Sequence, residues 1–305
     1  MLVASMPASA AAGARRWHLP INGGRFRSAL GRVLGKPLFA LGLLITAMFV
    51  LTAIVGPSLL PHDPLRQNLA VRLKPPGYTL ANGEAFVLGT DQLGRDELSR
   101  LVAGSRVSLV VATLSVLAGL IVGGSLGLSA GYLGRGWDDV LMRLVDLQMA
   151  FPFLFLGLIV VGIFGQGAAN IVLVLTLWGW VAYARIARSL ALSLRERDFI
   201  LAARSIGASQ RRVVFRHLLP NALDTLIVVA SLQVGRVLIA QAGLEFLGLG
   251  FPPPAPTWGG MLADGRDYIT DAWWVSTLPG LAITLVVVGL NFFGAGLRLL
   301  LRRAG

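Results

Sequence analysis

Six apolar runs of membrane-spanning length divide this chain, and they constrain its fold more than any other feature. A transmembrane helix needs about 20 predominantly apolar residues to cross a hydrocarbon core of about 30 Å. Only 14% of the residues are charged, against about 25% in typical soluble domains. We therefore predict an all-α integral membrane protein. Its six transmembrane helices are expected at Leu38–Leu60, Ser105–Ala130, Leu144–Phe164, Ile171–Leu192, Ala222–Ala242 and Val275–Leu297.

The positions of the basic residues predict the orientation. Lys and Arg are enriched in cytoplasmic loops, and 19 of the 27 basic residues fall in residues 1–36, 135–143, 185–216 and 298–305. Both termini are then cytoplasmic. The predicted organisation is a cytoplasmic tail over residues 1–37, a first span over 38–60 and an external loop over 61–104. A core of five helices follows over 105–298, with a cytoplasmic tail over 299–305.

Small residues and a proline indicate how two of the spans are shaped. Small side chains let membrane helices approach closely, and the second run carries four of them at Gly119, Gly123, Gly124 and Gly127. Pro152 lies within the third run. A proline is tolerated in a membrane helix because its neighbours can satisfy the freed carbonyls, so we expect a kink there.

Arg236 lies in the middle of the fifth apolar run. A charged side chain inside a bilayer is costly, so it faces protein, water or substrate rather than lipid. A structural ion pair and a role in a conduction pathway both remain open for this residue.

No catalytic, metal or nucleotide site emerges from the sequence. The chain has no cysteine, and its histidines, His18, His62 and His217, show no ligand spacing. It contains no GxxxxGK[ST] phosphate loop, so we expect neither ATP nor any other cofactor to be bound by this chain. The net charge is +12. The basic residues lie mainly between the apolar runs, which indicates membrane loops rather than a nucleic-acid surface.

A basic segment over residues 195–220 separates the fourth and fifth runs. Apolar residues recur in it at intervals of three and four, as expected of an amphipathic helix. Between them lie six arginines: Arg195, Arg197, Arg204, Arg211, Arg212 and Arg216. Two helical halves are expected to meet at Gly207, because glycine permits a sharp break. A helix resting on anionic lipid headgroups and a docking surface for another protein both remain open.

Motifs in this segment and beyond it resemble one family. Ala202-Ala203, Gly207 and Leu219-Pro220 are similar to the EAA loop of the permease subunits of bacterial ABC importers. Four longer motifs resemble the "C" permeases of the dipeptide, oligopeptide and nickel group. They are GTDQLGRDELSR (Gly89–Arg100), AGYLGRGWDDVLMRLVD (Ala130–Asp146), FLGLGFPPPAPTWG (Phe246–Gly259) and LPGLAITLVVVGLNFFGAGLR (Leu278–Arg298).

The resemblance implies a non-enzymatic permease subunit of a type I ABC importer in a bacterial inner membrane. A homologous second permease would complete the pathway, two cytoplasmic ATPases would bind ATP and Mg, and an external binding protein would deliver the substrate. Short coupling helices in the EAA loop would sit in a cleft of the ATPase, whose closure moves the spans. The residues it assigns to this coupling are Leu201, Ala202, Ala203, Arg204, Gly207, Arg211, Arg212, Leu219 and Pro220.

Leu201 departs from the family pattern, which usually has a glutamate at this position. We therefore expect docking to depend more on apolar burial and on Arg204, Arg211 or Arg212. The substrate stays open between dipeptides, longer peptides, nickel and other small solutes, with a mild preference for peptides because no His- or Met-rich track appears. The alternative from another class is an ion- or proton-coupled transporter, and a membrane-embedded enzyme is the third.

Overall fold

A computed structural model describes residues 36–304, so nearly all of the predicted tail over residues 1–37 lies outside the described residues. In this part of the chain five helices are long and apolar enough to cross a membrane. They are α1 (Pro37–Val55), α2 (Glu97–Leu133), α5 (Ala168–Arg195), α8 (Leu219–Phe246) and α10 (Trp273–Ala304). The predicted tail over residues 299–305 instead continues α10 as far as Ala304.

The third apolar run forms a broken pair of helices, α3 (Arg135–Ala150) and α4 (Phe153–Phe164), at an angle of 89°. The kink expected at Pro152 is thus a full break. A residue that precedes proline avoids the helical region, and both Phe151 (ψ 121°) and Pro152 (ψ 133°) are extended. Five long helices are therefore present in the described part of the chain, and the count reaches the predicted six only if this bent pair is one span. α3 begins at Arg135, so the predicted loop over residues 135–143 is helical instead.

Glycines on α2 set its close packing against α5. Gly119, Gly123, Gly127 and Gly131 recur every fourth residue and face α5. A Cβ on Gly123 or Gly127 would overlap the carbonyl oxygen of Trp180 or Ala184. Gly124, which was predicted to share this face, lies in ordinary van der Waals distance of Leu120 and Leu226 instead. The small-residue stripe therefore lets two helix backbones touch.

The main core lies where α2, α5, α8 and α10 meet. Val111 and Ala112 of α2, Leu175 of α5, Leu238 of α8 and Val286 of α10 are all buried there. α10 packs along α1 as well, where the rings of Phe39 and Phe293 stack with their centres 5.9 Å apart. These contacts hold the spans together as one unit.

The segment between α1 and α2 lies on the side of the helices opposite to residues 195–220. We call the side that carries residues 195–220 the basic face and the other side the opposite face. The segment contains a short hairpin of β1 (Tyr78–Thr79) and β2 (Ala85–Phe86), paired antiparallel with Tyr78 opposite Phe86. α2 begins at Glu97 rather than at Ser105, because the Asp96 side chain caps it by accepting a hydrogen bond from Ser99 N.

A buried ion cluster joins this segment to α9 (Trp258–Gly265). The Asp91 carboxylate lies 2.5 Å from Arg95 Nε and 3.3 Å from Arg100 Nε. Both arginines also reach Asp264 of α9, at 3.1 and 3.2 Å. Because buried charges are retained only when they are paired, this cluster fixes the start of α2 against α9.

Candidate functional site

The basic segment, residues 195–220, connects α5 to α8 through two short helices. α6 covers Asp198–Ser205, and α7 covers Gln210–Val213, with the Ser209 side chain as its N-cap. Five residues of π-helix, Val214–Leu218, then lead directly into α8. The segment is a bent helical surface at one end of the bundle.

Gly207 forms the bend. Its φ of +80° lies in the left-handed region that favours glycine. Gly207 N donates to Arg204 O at 2.9 Å and Ala208 N donates to Ala203 O at 3.1 Å. These two bonds form a Schellman motif, which satisfies the last free carbonyls of α6. The predicted break at this glycine is therefore made by a standard helix C-cap.

The second half of the segment differs from the expected separate helix. α7, the π turn and α8 form one continuous run from Gln210 to Phe246. Pro220 has no N–H and its ring would crowd the carbonyl of Arg216 in an α-helix. The wider π turn before Pro220 gives this carbonyl room. The two halves meet at Gly207 as predicted, but the second half is the beginning of a span and not a separate helix.

One face of the basic segment is buried against the spans. Ile200, Val213 and Leu218 are buried in a cluster that includes Leu128 of α2 and Leu226 of α8. Of the predicted coupling residues, Ala203 is buried, and Leu219 and Pro220 are half-buried. Movement of the segment therefore has to move α2 and α8 with it.

The other face of the basic segment is exposed and carries apolar side chains. Ile206 is 85% exposed at the bend, and Leu201 is 45% exposed on α6. The predicted residues Ala202, Arg204, Gly207, Arg211 and Arg212 are exposed as well. Among residues 36–300, no carboxylate lies within ion-pair distance of Arg211 or Arg212. This face combines uncovered apolar area with unpaired positive charge.

Arg211 also borders a groove between α2 and α8. The groove has a volume of about 500 Å³ and is lined almost entirely by apolar side chains, including Ile121, Leu223 and Phe215. Ile206, at the bend of the basic segment, does not line it. Arg211 therefore belongs both to the exposed face and to the lining of this groove.

Two arginines fasten the basic segment to the end of α2. Arg204 Nε donates to the Tyr132 hydroxyl at 3.3 Å, and its guanidinium lies over the Tyr132 ring. Arg195 Nη1 donates to Gly131 O at 3.2 Å, one of the last carbonyls of α2. Sequence reasoning missed Tyr132 as a partner, although it lies within the motif Ala130–Asp146. The available signal was an aromatic residue at the end of a helix, which is a common partner for an arginine guanidinium.

Two further ion pairs join α3 to the C-terminal half of α5. The Asp138 carboxylate accepts two hydrogen bonds from Arg188, at 2.5 and 2.6 Å. Asp146 accepts one from Arg185 at 2.8 Å. These pairs use two of the arginines that the charge pattern had placed on the basic face, so α3 lies on that face too.

Arg236 is separate from the basic segment. It lies in α8, well inside the span, and its side chain is exposed. The structure thus places the nine predicted coupling residues in one segment, six of them exposed, and Arg236 elsewhere.

The described residues include no group of three or more His, Asp or Glu side chains arranged to hold a metal ion. The exposed face of the basic segment offers apolar area and positive charge at its surface.

Two family models match the chain. The one described as "Binding-protein-dependent transport system inner membrane component" matches residues 123–304, which include the whole basic segment. The one described as "N-terminal TM domain of oligopeptide transport permease C" matches residues 24–76. Together they cover the first span, the C-terminal part of α2 and every helix that follows it.

Several relatives of known name are similar over most of their length. The chain is 42% identical over 257 residues to a di/tripeptide transport system permease protein of Pseudomonas aeruginosa, covering 84% of this chain and 85% of the relative. It is 37% identical to a probable D,D-dipeptide transport system permease protein of Escherichia coli, covering 88% of each. A glutathione transport system permease protein of Pectobacterium atrosepticum is 43% identical, covering 70% of this chain and 71% of the relative.

Among solved structures, the fold is similar to that of a chain of the MetNI methionine ABC transporter in inward-facing conformations. The TM-score is 0.54 at 21% identity, covering 68% of this chain and 96% of the other. At this identity the likeness concerns the fold alone. About two thirds of this chain thus share their fold with a chain of a solved transporter.

Proposed function

The chain belongs to the family of binding-protein-dependent transport system inner membrane components, and from this premise we propose that it is the permease subunit of an ATP-driven importer of small peptides. It would form half of the translocation pathway, with a homologous second permease forming the other half. ATP and Mg would be bound, and ATP hydrolysed, by two partner ATPase subunits and not by this chain. A substrate-binding protein would deliver the peptide.

The basic segment is the proposed contact with an ATPase subunit. The observation that carries this proposal is that one side of the segment is buried and the other is exposed. Ile200 and Val213 are fully buried against the spans, while Leu201 and Ile206 are exposed. Ile206 lies at the bend between the two helical halves, where a partner protein can cover it. Covering large aliphatic side chains of this kind contributes about 1.5–3 kcal/mol each, enough to seat the bend in a cleft.

Leu201 takes the place of the glutamate that the family pattern usually has. An acidic side chain there would lie one helical turn before Arg204 and would compete for its guanidinium. With leucine in this position, Arg204 binds Tyr132 of α2 instead. We propose that the absent acid is replaced by apolar docking through Leu201 and by the Arg204–Tyr132 contact within the chain.

The orientation follows from the same proposal. The basic face would be cytoplasmic, because the ATPase subunits lie there and because Lys and Arg are enriched in cytoplasmic loops. Both termini would then be cytoplasmic, and the opposite face, with its hairpin and ion cluster, would meet the binding protein. A cysteine placed at Asn82, in the hairpin, would be labelled from outside intact cells, whereas one placed at Ser205 would not.

Peptides are the proposed substrate class because the named relatives transport di- and tripeptides, D,D-dipeptides and glutathione. All of these are short peptides or peptide-like molecules with at least one carboxylate. Nickel uptake is the competing possibility within the same machinery. The spans offer no group of three candidate ligands for a metal within residues 36–304.

The test is transport by the complete complex. This chain, the second permease, the ATPases and the binding protein are reconstituted in proteoliposomes, and uptake of a labelled dipeptide is measured with and without ATP. The expected result is ATP-dependent uptake that survives collapse of the proton gradient by an ionophore. Loss of uptake on collapse of the gradient would instead identify a proton-coupled transporter.

Two controls separate substrate from mechanism. Labelled nickel replaces the dipeptide in a parallel assay, and ATP-dependent nickel uptake without peptide uptake would contradict the peptide assignment alone. Omission of the ATPase subunits should abolish uptake of either substrate. Uptake that persists without them would contradict the assignment to an ATP-driven importer.

A further inference from the structure

Arg236 is a charged residue at a depth where lipid is a poor environment. It lies 17 residues after the start of α8 at Leu219 and 10 before its end at Phe246, about 25 and 15 Å along the axis at ~1.5 Å per residue. An arginine at the centre of a membrane helix costs about 2.5–3.5 kcal/mol on insertion scales. Its presence calls for a compensating partner.

The direction of the Arg236 side chain keeps its guanidinium away from the nearer membrane surface. Side chains on a helix point towards its N-terminus, and the N-terminus of α8 is its more distant end. The guanidinium is therefore directed deeper into the span and not towards Phe246. Snorkelling to the opposite face would require the side chain to turn back against this preference.

No acidic side chain within residues 36–300 compensates the charge. α8 itself has two acids. Glu245 is occupied by hydrogen bonds from Gln241 Nε2 at 2.8 Å and from Gly259 N at 3.1 Å. Asp224 lies 12 residues before Arg236, about 18 Å away along the helix. The partner has to come from outside the described part of the chain.

The surroundings of Arg236 show that it faces away from this chain. Its neighbours Val237 and Leu238 are buried in the main core, and Gly235 packs against Val287 of α10. On the side of Arg236, Ile239 is exposed and a Cβ on Gly243 would meet no atom within 4 Å. This side of α8 is an open face that carries a positive charge at membrane depth.

We propose that Arg236 binds a carboxylate on this open face, in the translocation pathway that α8 would share with the second permease. The proposal rests on the proposed function. The planar guanidinium fits a carboxylate through two parallel hydrogen bonds. The carboxylate would come from the C-terminus of a passing peptide or from an acidic side chain of the second permease. An acidic side chain of the second permease would remove the cost of an isolated charge throughout, and a peptide only while it is bound.

The experiment compares wild type with R236Q and R236K in the complete complex, reconstituted in proteoliposomes. Uptake of dialanine is compared with uptake of its C-terminal amide, at concentrations that saturate the binding protein with either peptide. Yield of the assembled complex and its melting temperature are measured in parallel. I239Q, on the neighbouring exposed position, controls for a polar side chain at this depth.

A substrate carboxylate predicts that R236Q lowers dialanine uptake at least tenfold, changes uptake of the amide less than twofold and leaves assembly intact. R236K then keeps part of the preference for the free acid. A carboxylate of the second permease predicts that R236Q lowers the yield and melting temperature of the complex and reduces both uptakes equally, while R236K restores assembly.

The proposal is overturned if R236Q assembles at wild-type yield and transports both peptides in the wild-type ratio, or if I239Q gives the same losses as R236Q. If the wild-type complex transports neither peptide, the proposed substrate is wrong. The alternative in which the substrate supplies the carboxylate is then wrong as well. Assembly and melting temperature of R236Q and R236K then decide alone whether the second permease supplies the carboxylate.

Discussion

The guanidinium carbon of Arg204 lies 4.8 Å from the centre of the Tyr132 ring, and Arg204 Nε donates a hydrogen bond to the hydroxyl of the same tyrosine. Arg204 belongs to α6, in the proposed ATPase contact, whereas Tyr132 lies in the last turn of α2. This contact therefore joins the surface that would receive force to a helix that crosses the membrane.

We predict that Tyr132→Leu uncouples ATP hydrolysis from transport. The change removes both the ring face and the hydroxyl, and a cation–π contact contributes about 0.5–2 kcal/mol. The number of peptides transported per ATP hydrolysed should fall severalfold in proteoliposomes, while ATP hydrolysis itself continues. Tyr132→Phe keeps the ring and should lose less. An unchanged ratio in Tyr132→Leu would show that Arg204 transmits nothing through this residue.

Loss of the exposed apolar side chains should weaken ATPase binding. Leu201→Ala and Ile206→Ser each remove aliphatic area from the exposed face, and about 1.4 kcal/mol corresponds to a tenfold change in affinity. We expect the dissociation constant for the ATPase subunits, measured in detergent by biolayer interferometry, to rise three- to thirtyfold. Leu247→Ala, at an exposed leucine that follows the far end of α8, serves as the control and should have no effect. Equal affinities for all three variants would contradict docking through this face.

Replacement of Gly207 should disturb the bend without any steric overlap. A Cβ on Gly207 would meet no atom within 4 Å, but the φ of +80° is strained for any residue with a side chain. Gly207→Ala is expected to cost about 1–2 kcal/mol, the cost of the left-handed conformation for a residue with a Cβ, and Gly207→Asn less, because asparagine tolerates this region. Limited proteolysis should cleave the basic segment faster in the alanine variant. Gly136→Ala is the matched control, since Gly136 has open space and no positive φ; equal cleavage in both would argue against strain.

The ion cluster on the opposite face should be a strong determinant of stability. Asp91 is 1% exposed, and Asp91→Asn would leave Arg95 and Arg100 with Asp264 as their shared partner. Breaking a buried ion pair by removing one member costs about 3–5 kcal/mol. The melting temperature in detergent should fall clearly. Asp267→Asn, in the exposed pair with Arg266, should leave it unchanged, and a similar fall in both variants would point to a non-specific effect of charge.

The spans were predictable because their signal is local. Each apolar run has to be long enough to cross a bilayer, and the helix bounds agree with the runs to within a few residues at most ends. The bend at Gly207 was predictable for the same reason, since glycine in a polar segment indicates a positive φ. α2 starts earlier than its apolar run because a capping aspartate, and not hydropathy, decides where a helix begins.

Other features depend on parts of the chain that are distant in sequence. The proline at position 152 indicates a disturbance, but the 89° angle between α3 and α4 is fixed by packing and by ion pairs from Asp138 and Asp146 to α5. The pairing of Arg204 with Tyr132 joins residues 72 positions apart. Periodicity reports which side of a helix is apolar, and it contains no information about which distant partner a charge will choose.

α2 is one unbroken helix of 37 residues, about 55 Å long at ~1.5 Å per residue. Tyr132 lies at one end and Arg100 near the other, each bound to a different part of the molecule. A rigid helix anchored at both ends couples the two sites in both directions, because coupling between two binding sites is reciprocal. A protein that docks on the opposite face and tilts α2 will change the affinity of the basic face for its own partner. Docking at the basic face changes the affinity of the opposite face by the same factor.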